Sequence, residues 1–552
     1  MPSGAELFVQ SLEALGIGEI FTLVGDHLNE VLSLAFRRGL RIIDMRHESG
    51  VTHAADALAR VRRRPAVSLV TGGPGHTNSL TGIATAFLTG SPLIAVSGAA
   101  PLGPAGRQVF QVIDQVAMAA PVVKFAAQAT QPAHIPYLVG RAFAEATAGR
   151  MGPVHLSIPV DVFSATTEQP LPMPLPPPRP ACAPTSGEVV RALEILEAAE
   201  RPVVIAGSGL WWADAAAELD EFLRRTELPY YSITLARGVL RDDAPYSLGY
   251  ADPALNKAVQ KAFREADVVL VLGKRLDSRL ALGGEKLFSP EARFVQVDIH
   301  APELGHTRRL ELAICADLKA ALRAFLDVLG DRVWPRREAW WRRLRELDQA
   351  WRAELDALAS DRSLPMNPVA FFAELRNHLP AGVLFSWDGG DFVHWGRAML
   401  PALEPGGWLR LGPMATIGAG LPNAVGLKVA RPGEPVVMIT GDGSLGFYLA
   451  ELDTLVRHDL GVVIIVGNDG AWGVERELQL ATQGTTVACL LRQSRYDVVM
   501  QGFGGEGELV ERPEQVAGAL RRAFASGKPY LLNVLIRGLR SPFTDWAISR
   551  KK

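Results

Sequence analysis

The sequence predicts an α/β protein built from three doubly wound parallel-sheet domains. Short apolar runs alternate with helical patterns along most of the chain, a proline-rich break divides it early, and 552 residues exceed what one core accommodates. Strands of a parallel sheet are covered on both faces, so they read as continuous apolar runs rather than alternating ones.

The first block, residues 1–165, opens with "MPSGAELFVQSLEALG", an amphipathic helix carrying acidic residues and unlike a signal peptide. The runs "EIFTLVG", "RIIDMR", "AVSLVTG", "PLIAVSG" and "VHLSIPV" follow as strands, with helical stretches between them. Residues 166–187, "TTEQPLPMPLPPPRPACAPTSG", can form neither helix nor central strand, because proline donates no backbone hydrogen bond; an extended linker is expected. The second block, 188–330, has strands at "PVVIAGSG", "DVVLVLG" and "FVQVDI". Residues 331–366 read as a charged helical connector, with Trp340, Trp341 and Trp351 as packing anchors. A third block, 367–536, closes with "YLLNVLI", and the tail 537–552 is expected to be a frayed end.

Composition narrows the function. Fifty-seven basic and 59 acidic residues give a formal charge of −2, which offers nothing to nucleic acid or an anionic membrane. No apolar run reaches membrane-spanning length. The three cysteines, Cys182, Cys315 and Cys489, are odd in number and far apart, with neither a disulfide framework nor metal-ligand spacing; a reducing cytoplasm is the expected location.

The stretch "ITGDGSLGF" places Asp442 between Gly441 and Gly443 directly after an apolar strand. Alone, Gly-Asp-Gly is a tight turn. A second strand, "GVVIIVGND", however, ends in Asn468 and Asp469, 27 residues after Asp442, with a helical pattern between. In a parallel sheet this sets both carboxylates at the carboxyl edge of neighbouring strands, where open α/β sheets bind ligands. Two carboxylates aimed at one point repel each other unless a cation sits there, and hard oxygen ligands suit Mg²⁺. A helix from Ser444 would add free N–H groups for a phosphate.

This arrangement resembles the diphosphate site of the thiamine-diphosphate enzymes, whose signature is Gly-Asp-Gly followed just under thirty residues later by Asn-Asn or Asn-Asp. The resemblance implies thiamine diphosphate and Mg²⁺ as cofactors, and pyrimidine-binding, central and diphosphate-binding domains in that order. Carried over by position, the metal ligands are Asp442, Asp469 and the backbone carbonyl of Ala471, with Gly441, Gly443 and Ser444 beside the diphosphate. "IIDMRHESGVTHAADALAR" places Glu48 where the family has the glutamate that activates the cofactor through its pyrimidine ring nitrogen. "VTGGPGHTNSL" matches the turn beside the pyrimidine through Gly73, Pro74 and Asn78. "LGPMATIGAGLPNAVGL" matches the segment under the cofactor, with Ile417 as the apolar wedge and the carbonyl of Ala415 as an acceptor. "WDGGDFVHW" fits the other diphosphate loop through Gly389 and Gly390.

The resemblance covers the whole chain and is nearest to the branch of acetolactate synthase and benzaldehyde lyase. It implies C–C bond chemistry next to a carbonyl, with His27 and Gln111 moving protons and Val474 lining the substrate pocket. An ionised Asp26 beside His27 would repel the carboxylate of a 2-oxo acid, unless it caps the helix beginning at Asn29 instead. The expected activity is therefore cleavage or formation of a neutral 2-hydroxy ketone, a lyase and aldehyde carboligase of the benzaldehyde-lyase kind. Acetolactate synthase or 2-oxo acid decarboxylase is the alternative. Cleavage of 2-hydroxyacyl-coenzyme A thioesters is a further one, in which "RSPFTDWAISRKK" would close over the site. FAD or ADP in the central domain is possible in such a fold but not expected. A non-catalytic nucleotide-binding protein with a decayed site is disfavoured, because Glu48, Asp442 and Asp469 all remain. The family's sites span a subunit interface, which implies a homodimer or homotetramer.

Overall fold

The computed structural model describes residues 1–103, 107, 109–174 and 182–550. Its contacts divide the chain into two units. One comprises Met1–Pro180, Leu411–Val436 and Leu445–Val462; the other comprises Ala181–Arg410, Val437–Ser444 and Val463–Lys552.

The first unit is built on six strands: β1 (Glu19–Leu23), β2 (Arg41–Asp44), β3 (Ala66–Val70), β4 (Leu93–Ala99), β5 (Ala126–Gln128) and β6 (Val154–Pro159). They pair in parallel in the order β2-β1-β3-β4-β6-β5. β3 and β6 are buried along their whole length, including their polar residues Ser68, His155 and Ser157. The leading helix, Gly4–Ala14, starts on a reciprocal cap between Ser3 and Glu6 and buries Leu7, Phe8 and Leu12 in the unit's core.

The alanine-rich helix Glu48–Arg62 is buried on nearly every face, because small side chains let two other helices, Pro74–Thr89 and Gly420–Ala430, come close. Its buried charged residues Asp56 and Arg60 are paired inside that packing, at 2.7 Å, and Arg60 donates to Asn423 Oδ1 at 3.1 Å. Among the described residues, no strand or helix occupies 166–174 of the expected linker. Residues 175–181 of it lie outside the described residues, and its end already belongs to the helix Ser186–Glu197, capped by Thr185.

The second unit holds two sheets. The central one contains β7 (Pro202–Ala206), β8 (Tyr230–Ser232), β9 (Ser247–Tyr250), β10 (Val268–Leu272), β11 (Arg293–Asp298) and β12 (Leu312–Cys315), in the parallel order β12-β11-β10-β7-β8-β9. The last contains β13 (Leu384–Asp388), β14 (Trp408–Arg410), β15 (Val436–Gly441), β16 (Val462–Asn468), β17 (Glu506–Val510) and β18 (Tyr530–Leu535), in the order β14-β13-β15-β16-β18-β17. Numbered from one within each sheet, the first and last share the order 2-1-3-4-6-5. The chain thus reverses its winding between β1 and β3 in one, and between β13 and β15 in the other.

Helix Glu338–Ala359 lies against the second unit's core through Trp340 and Trp351, both buried. Trp340 Nε1 donates to the Pro202 carbonyl at 3.0 Å, and Trp341 Nε1 donates to that of Glu227 at 2.8 Å. No helix among the described residues is long and apolar enough to cross a membrane.

Two expectations need correction. The helical pattern after Asp442 is not one helix: it breaks into a turn at Asp442–Leu445, a 3-10 turn at Gly446–Tyr448 and the helix Glu451–Arg457. The tail is not frayed over its described length. Residues Pro542–Ser549 form a helix capped by Ser541, whose hydroxyl accepts from the Thr544 N–H.

Candidate active site

Both reversal points carry the residues singled out in the sequence, and each set is gathered within its own unit. In the first unit, the edge of β1 leads into a 3-10 turn, Asp26–Leu28, which presents His27 to the loop after β3. The Gly72 N–H donates to His27 Nδ1 at 3.1 Å, and Thr71 Oγ1 lies 2.9 Å from the same nitrogen. Since a backbone N–H can only donate, Nδ1 is an acceptor and the neutral ring carries its proton on Nε2. Burial holds the His27 pKa below the ordinary histidine value, against the opposing pull of Asp26, so the neutral ring prevails near neutrality. Asp26 itself is exposed and caps neither the 3-10 turn nor the helix Asn29–Arg37.

The loop after β3 opens the helix Pro74–Thr89, with Pro74 at its first turn and Gly73 before it. Gly73 has φ +62°, and a Cβ there would lie 2.8 Å from Gln111 Cβ; Gln111 takes that space, itself at φ +61°. One turn into the helix, Asn78 Nδ2 donates to Glu48 Oε2 at 3.0 Å. Glu48 is half-buried at the start of its helix. Ala415 and Ile417 stand on a loop of the same unit, which Thr416 ties to the helix Pro74–Thr89 through Thr85 at 3.1 Å. Ala415 adopts a left-handed φ of +55°, a strained conformation for a residue with a Cβ.

In the second unit, β15 ends at Gly441 and β16 at Asn468, and the two strands are neighbours. Asp442 is buried, and its Oδ2 has no hydrogen-bond partner among the described residues. Burial and the facing charge of Asp469 push its pKa up to about 7, although the N–H groups of Gly443 and Gly470 pull the other way. Burial raises Asp469 too, while Arg476, 3.4 Å away, opposes the rise.

Ala471 sits opposite Leu490 in an antiparallel bridge whose bonds run from Trp472 N–H to Cys489 and from Leu491 N–H to Gly470. Neither bond uses the Ala471 carbonyl, which stays available as a third oxygen. No group of three or more His, Cys, Asp or Glu side chains suited to a metal exists among the described residues; a cation here would take two carboxylates and draw the rest from backbone, phosphate and water oxygens. An orphaned buried carboxylate oxygen facing a second carboxylate fits such a cation.

The loop after β13 completes the surroundings. Gly389, at φ +129°, brings its backbone so close that a Cβ would stand 3.0 Å from the Gly441 nitrogen and 3.2 Å from Ser444 Oγ. Gly390 faces Val474. This crowding of backbone amides without side chains suits a diphosphate.

Several residues of the site escaped the sequence reading. Asp391 is buried and accepts from Ser541 N–H at 2.9 Å and from Thr544 Oγ1 at 2.6 Å, which anchors the C-terminal helix. Phe543 of that helix lies against His394, at 4.3 Å between ring centroids, and under Arg279. Arg476 pairs with Asp469, and the Tyr496 hydroxyl donates to the Asp442 carbonyl at 3.3 Å. Only Asp391 left a trace in the sequence, as the first acid after Gly389-Gly390.

Three stretches of the chain match domains of thiamine pyrophosphate enzymes. Residues 2–118 match the N-terminal TPP binding domain, 189–325 the central domain, and 388–534 the C-terminal TPP binding domain. The chain is 35% identical to the acetolactate synthase large subunit IlvG of Mycobacterium tuberculosis over 531 residues, covering 96% of this chain and 95% of the relative. It is 30% identical to human 2-hydroxyacyl-CoA lyase 1, over 97% of this chain and 94% of the relative. It is 31% identical to a probable acetolactate synthase large subunit of Methanocaldococcus jannaschii, over 97% and 92%.

Proposed function

The chain belongs to the thiamine pyrophosphate enzyme family, and from that premise we propose that it cleaves, and in reverse forms, the C–C bond of a neutral 2-hydroxy ketone. The observation that carries this reading is the Asp26–His27 pair at the edge of β1. An exposed carboxylate disfavours a second carboxylate nearby, while a neutral histidine protonated on Nε2 can serve a substrate hydroxyl.

Thiamine diphosphate, when bound, supplies a nucleophilic carbon and a sink for the electrons of the broken bond. In this proposal Asp442, Asp469 and the Ala471 carbonyl hold Mg²⁺, and Gly389, Gly390, Gly441, Gly443 and Ser444 surround the diphosphate. Gly73, Pro74, Asn78, Ala415 and Ile417 flank the pyrimidine. Glu48 holds a proton at its carboxyl against the pyrimidine ring nitrogen. His27 donates from Nε2, the Gln111 amide orients the substrate oxygen, and Val474 lines the pocket. The enzyme works in the cytoplasm as a homodimer or homotetramer, with the 1–165 domain of one subunit facing the 367–536 domain of another. FAD or ADP in the 188–330 domain has no part in the proposal.

Two features favour other substrates. The identity to IlvG favours a 2-oxo acid. The docked C-terminal helix, with the identity to human 2-hydroxyacyl-CoA lyase 1, favours a 2-hydroxyacyl thioester.

An NMR time course with thiamine diphosphate, Mg²⁺ and one substrate at a time tests the assignment. Cleavage of benzoin with pyruvate untouched is the expected result. Steady conversion of pyruvate to acetolactate or acetoin would replace it with the 2-oxo acid reading.

A further inference from the structure

A second acid lies behind Glu48. Glu451, only 1% exposed, opens the helix Glu451–Arg457 in the first unit and points its carboxylate into the backbone just ahead of Glu48. The Arg46 N–H donates to both of its oxygens, at 3.1 and 3.3 Å, and the His47 N–H also bonds it. Thr454 Oγ1 donates to Oε2 at 2.6 Å. Gly50 leaves room for the carboxylate, since a Cβ there would stand 2.7 Å from Oε1.

The same stretch of chain grips the turn at two more points. The Tyr448 hydroxyl donates to Ser49 Oγ at 2.7 Å. Arg457 pairs with the Asp44 carboxylate and donates to the Asp44 carbonyl at 2.9 Å. His47, the cap residue, accepts the Ser49 N–H on Nδ1. The backbone from Asp44 to Gly50 is thereby fixed from behind.

Among the described residues, the Glu48 side chain is hydrogen-bonded through Oε2 to Asn78 alone, so the aim of its carboxyl follows the backbone that carries it. A catalytic group displaced by about 1 Å can lose roughly a hundredfold in rate.

We propose that Glu451 is the positioning residue for Glu48, holding the Arg46–His47 backbone so that the Glu48 carboxyl meets the cofactor's pyrimidine. The inference rests on the role given to Glu48 above.

Two measurements test it. The first is amide hydrogen exchange in the cofactor-free chain, read on peptides covering Arg46–Gly50. Glu451→Ala should speed exchange there about tenfold or more, which is the loss of one such hydrogen bond, and leave β3 and β4 protected. The second is the rate at which the C2 proton of bound thiamine diphosphate exchanges with D₂O. That rate should fall at least tenfold in Glu451→Ala, while affinity for the cofactor stays within about threefold.

Glu451→Gln retains an acceptor for Arg46, and its amide can donate to Thr454, so it should restore both readouts to within about threefold. Glu48→Gln is run alongside. If it leaves C2 exchange unchanged, the role of Glu48 itself falls, and the amide exchange still reports on the grip. If Glu48→Gln slows C2 exchange but Glu451→Ala does not, the positioning role is overturned. Should Glu451→Ala fail to fold, Glu451→Asp carries the test: one methylene shorter, it should slow C2 exchange at least threefold, and a wild-type rate would overturn the proposal.

Discussion

Burial and the charge of Asp469 make Asp442 resist ionisation, burial and Asp391 do the same to Asp469, and a divalent cation between them would relieve both. Asp442→Asn and Asp469→Asn should each weaken Mg²⁺-dependent binding of thiamine diphosphate tenfold or more by calorimetry; unchanged affinity in both would remove them from the metal site. Asp26 makes a different prediction. Asp26→Ser removes an exposed charge without disturbing a cap, so turnover of 2-oxo acids should rise, on the order of tenfold, with folding unaffected. No rise would dismiss its part in selecting substrate.

Glu451 adds a pH signature. Burial lifts its pKa from 4.5 to about 7, with Arg457 and the Arg46 and His47 amides opposing. A raised carboxyl favours the protonated fold, so its contribution to stability is whole below about pH 4.5 and fades as pH rises towards 7. Unfolding midpoints from pH 5 to 8 should therefore fall more steeply for wild type than for Glu451→Gln. Asp442 and Asp469 were legible because each follows an apolar strand, 27 residues apart, with a helical pattern between them. Glu451 was not: its partner Arg46 lies 405 residues away, and nothing local distinguishes it from any first-turn acid.

At the scale of elements, the strands that the sequence reading recovered are, β2 apart, the inner ones of each sheet, apolar at most positions. Those it passed over include five of the six edges of the described sheets, β5, β9, β12, β14 and β17, β2 being the exception. An edge strand needs only one partner and half the burial, so three residues such as "AAQ" in β5 suffice and leave no pattern. The C-terminal helix was hidden for a similar reason. Its polar, aromatic sequence gains its place from one buried acid, Asp391, about 150 residues upstream. Thr544→Val should cost about 1–3 kcal/mol of local stability, read as a tenfold or greater rise in amide exchange over residues 542–549. Unaltered protection there would show that the Thr544 bond is dispensable, with the Ser541 N–H on Asp391 and Phe543 against His394 holding the helix.

On the scale of the whole molecule, one strand order serves the first and last sheets although their sequences show no repeat. The alternation of strands and helices was enough to predict three doubly wound sheets. It could not show that the first unit borrows two later stretches, because each is only an ordinary helix in sequence. If active sites form between subunits, mixing Glu48→Gln with Asp442→Asn protein through a refolding step should restore up to about a quarter of wild-type activity, since half of the dimers would be mixed and each would hold one intact site. Sites confined to single chains would restore none.

The discontinuous first unit also bears on how the protein is made. Its helix Glu48–Arg62 finds its partner helix, Gly420–Ala430, only after residues 181–410 have been translated. At the usual pace of synthesis that wait is on the order of ten to fifty seconds. Through that interval the nascent sheet carries Asp56, Arg60 and the surrounding alanines on an open face. The ribosome-bound chain thus offers a holdase chaperone a target that the finished protein conceals.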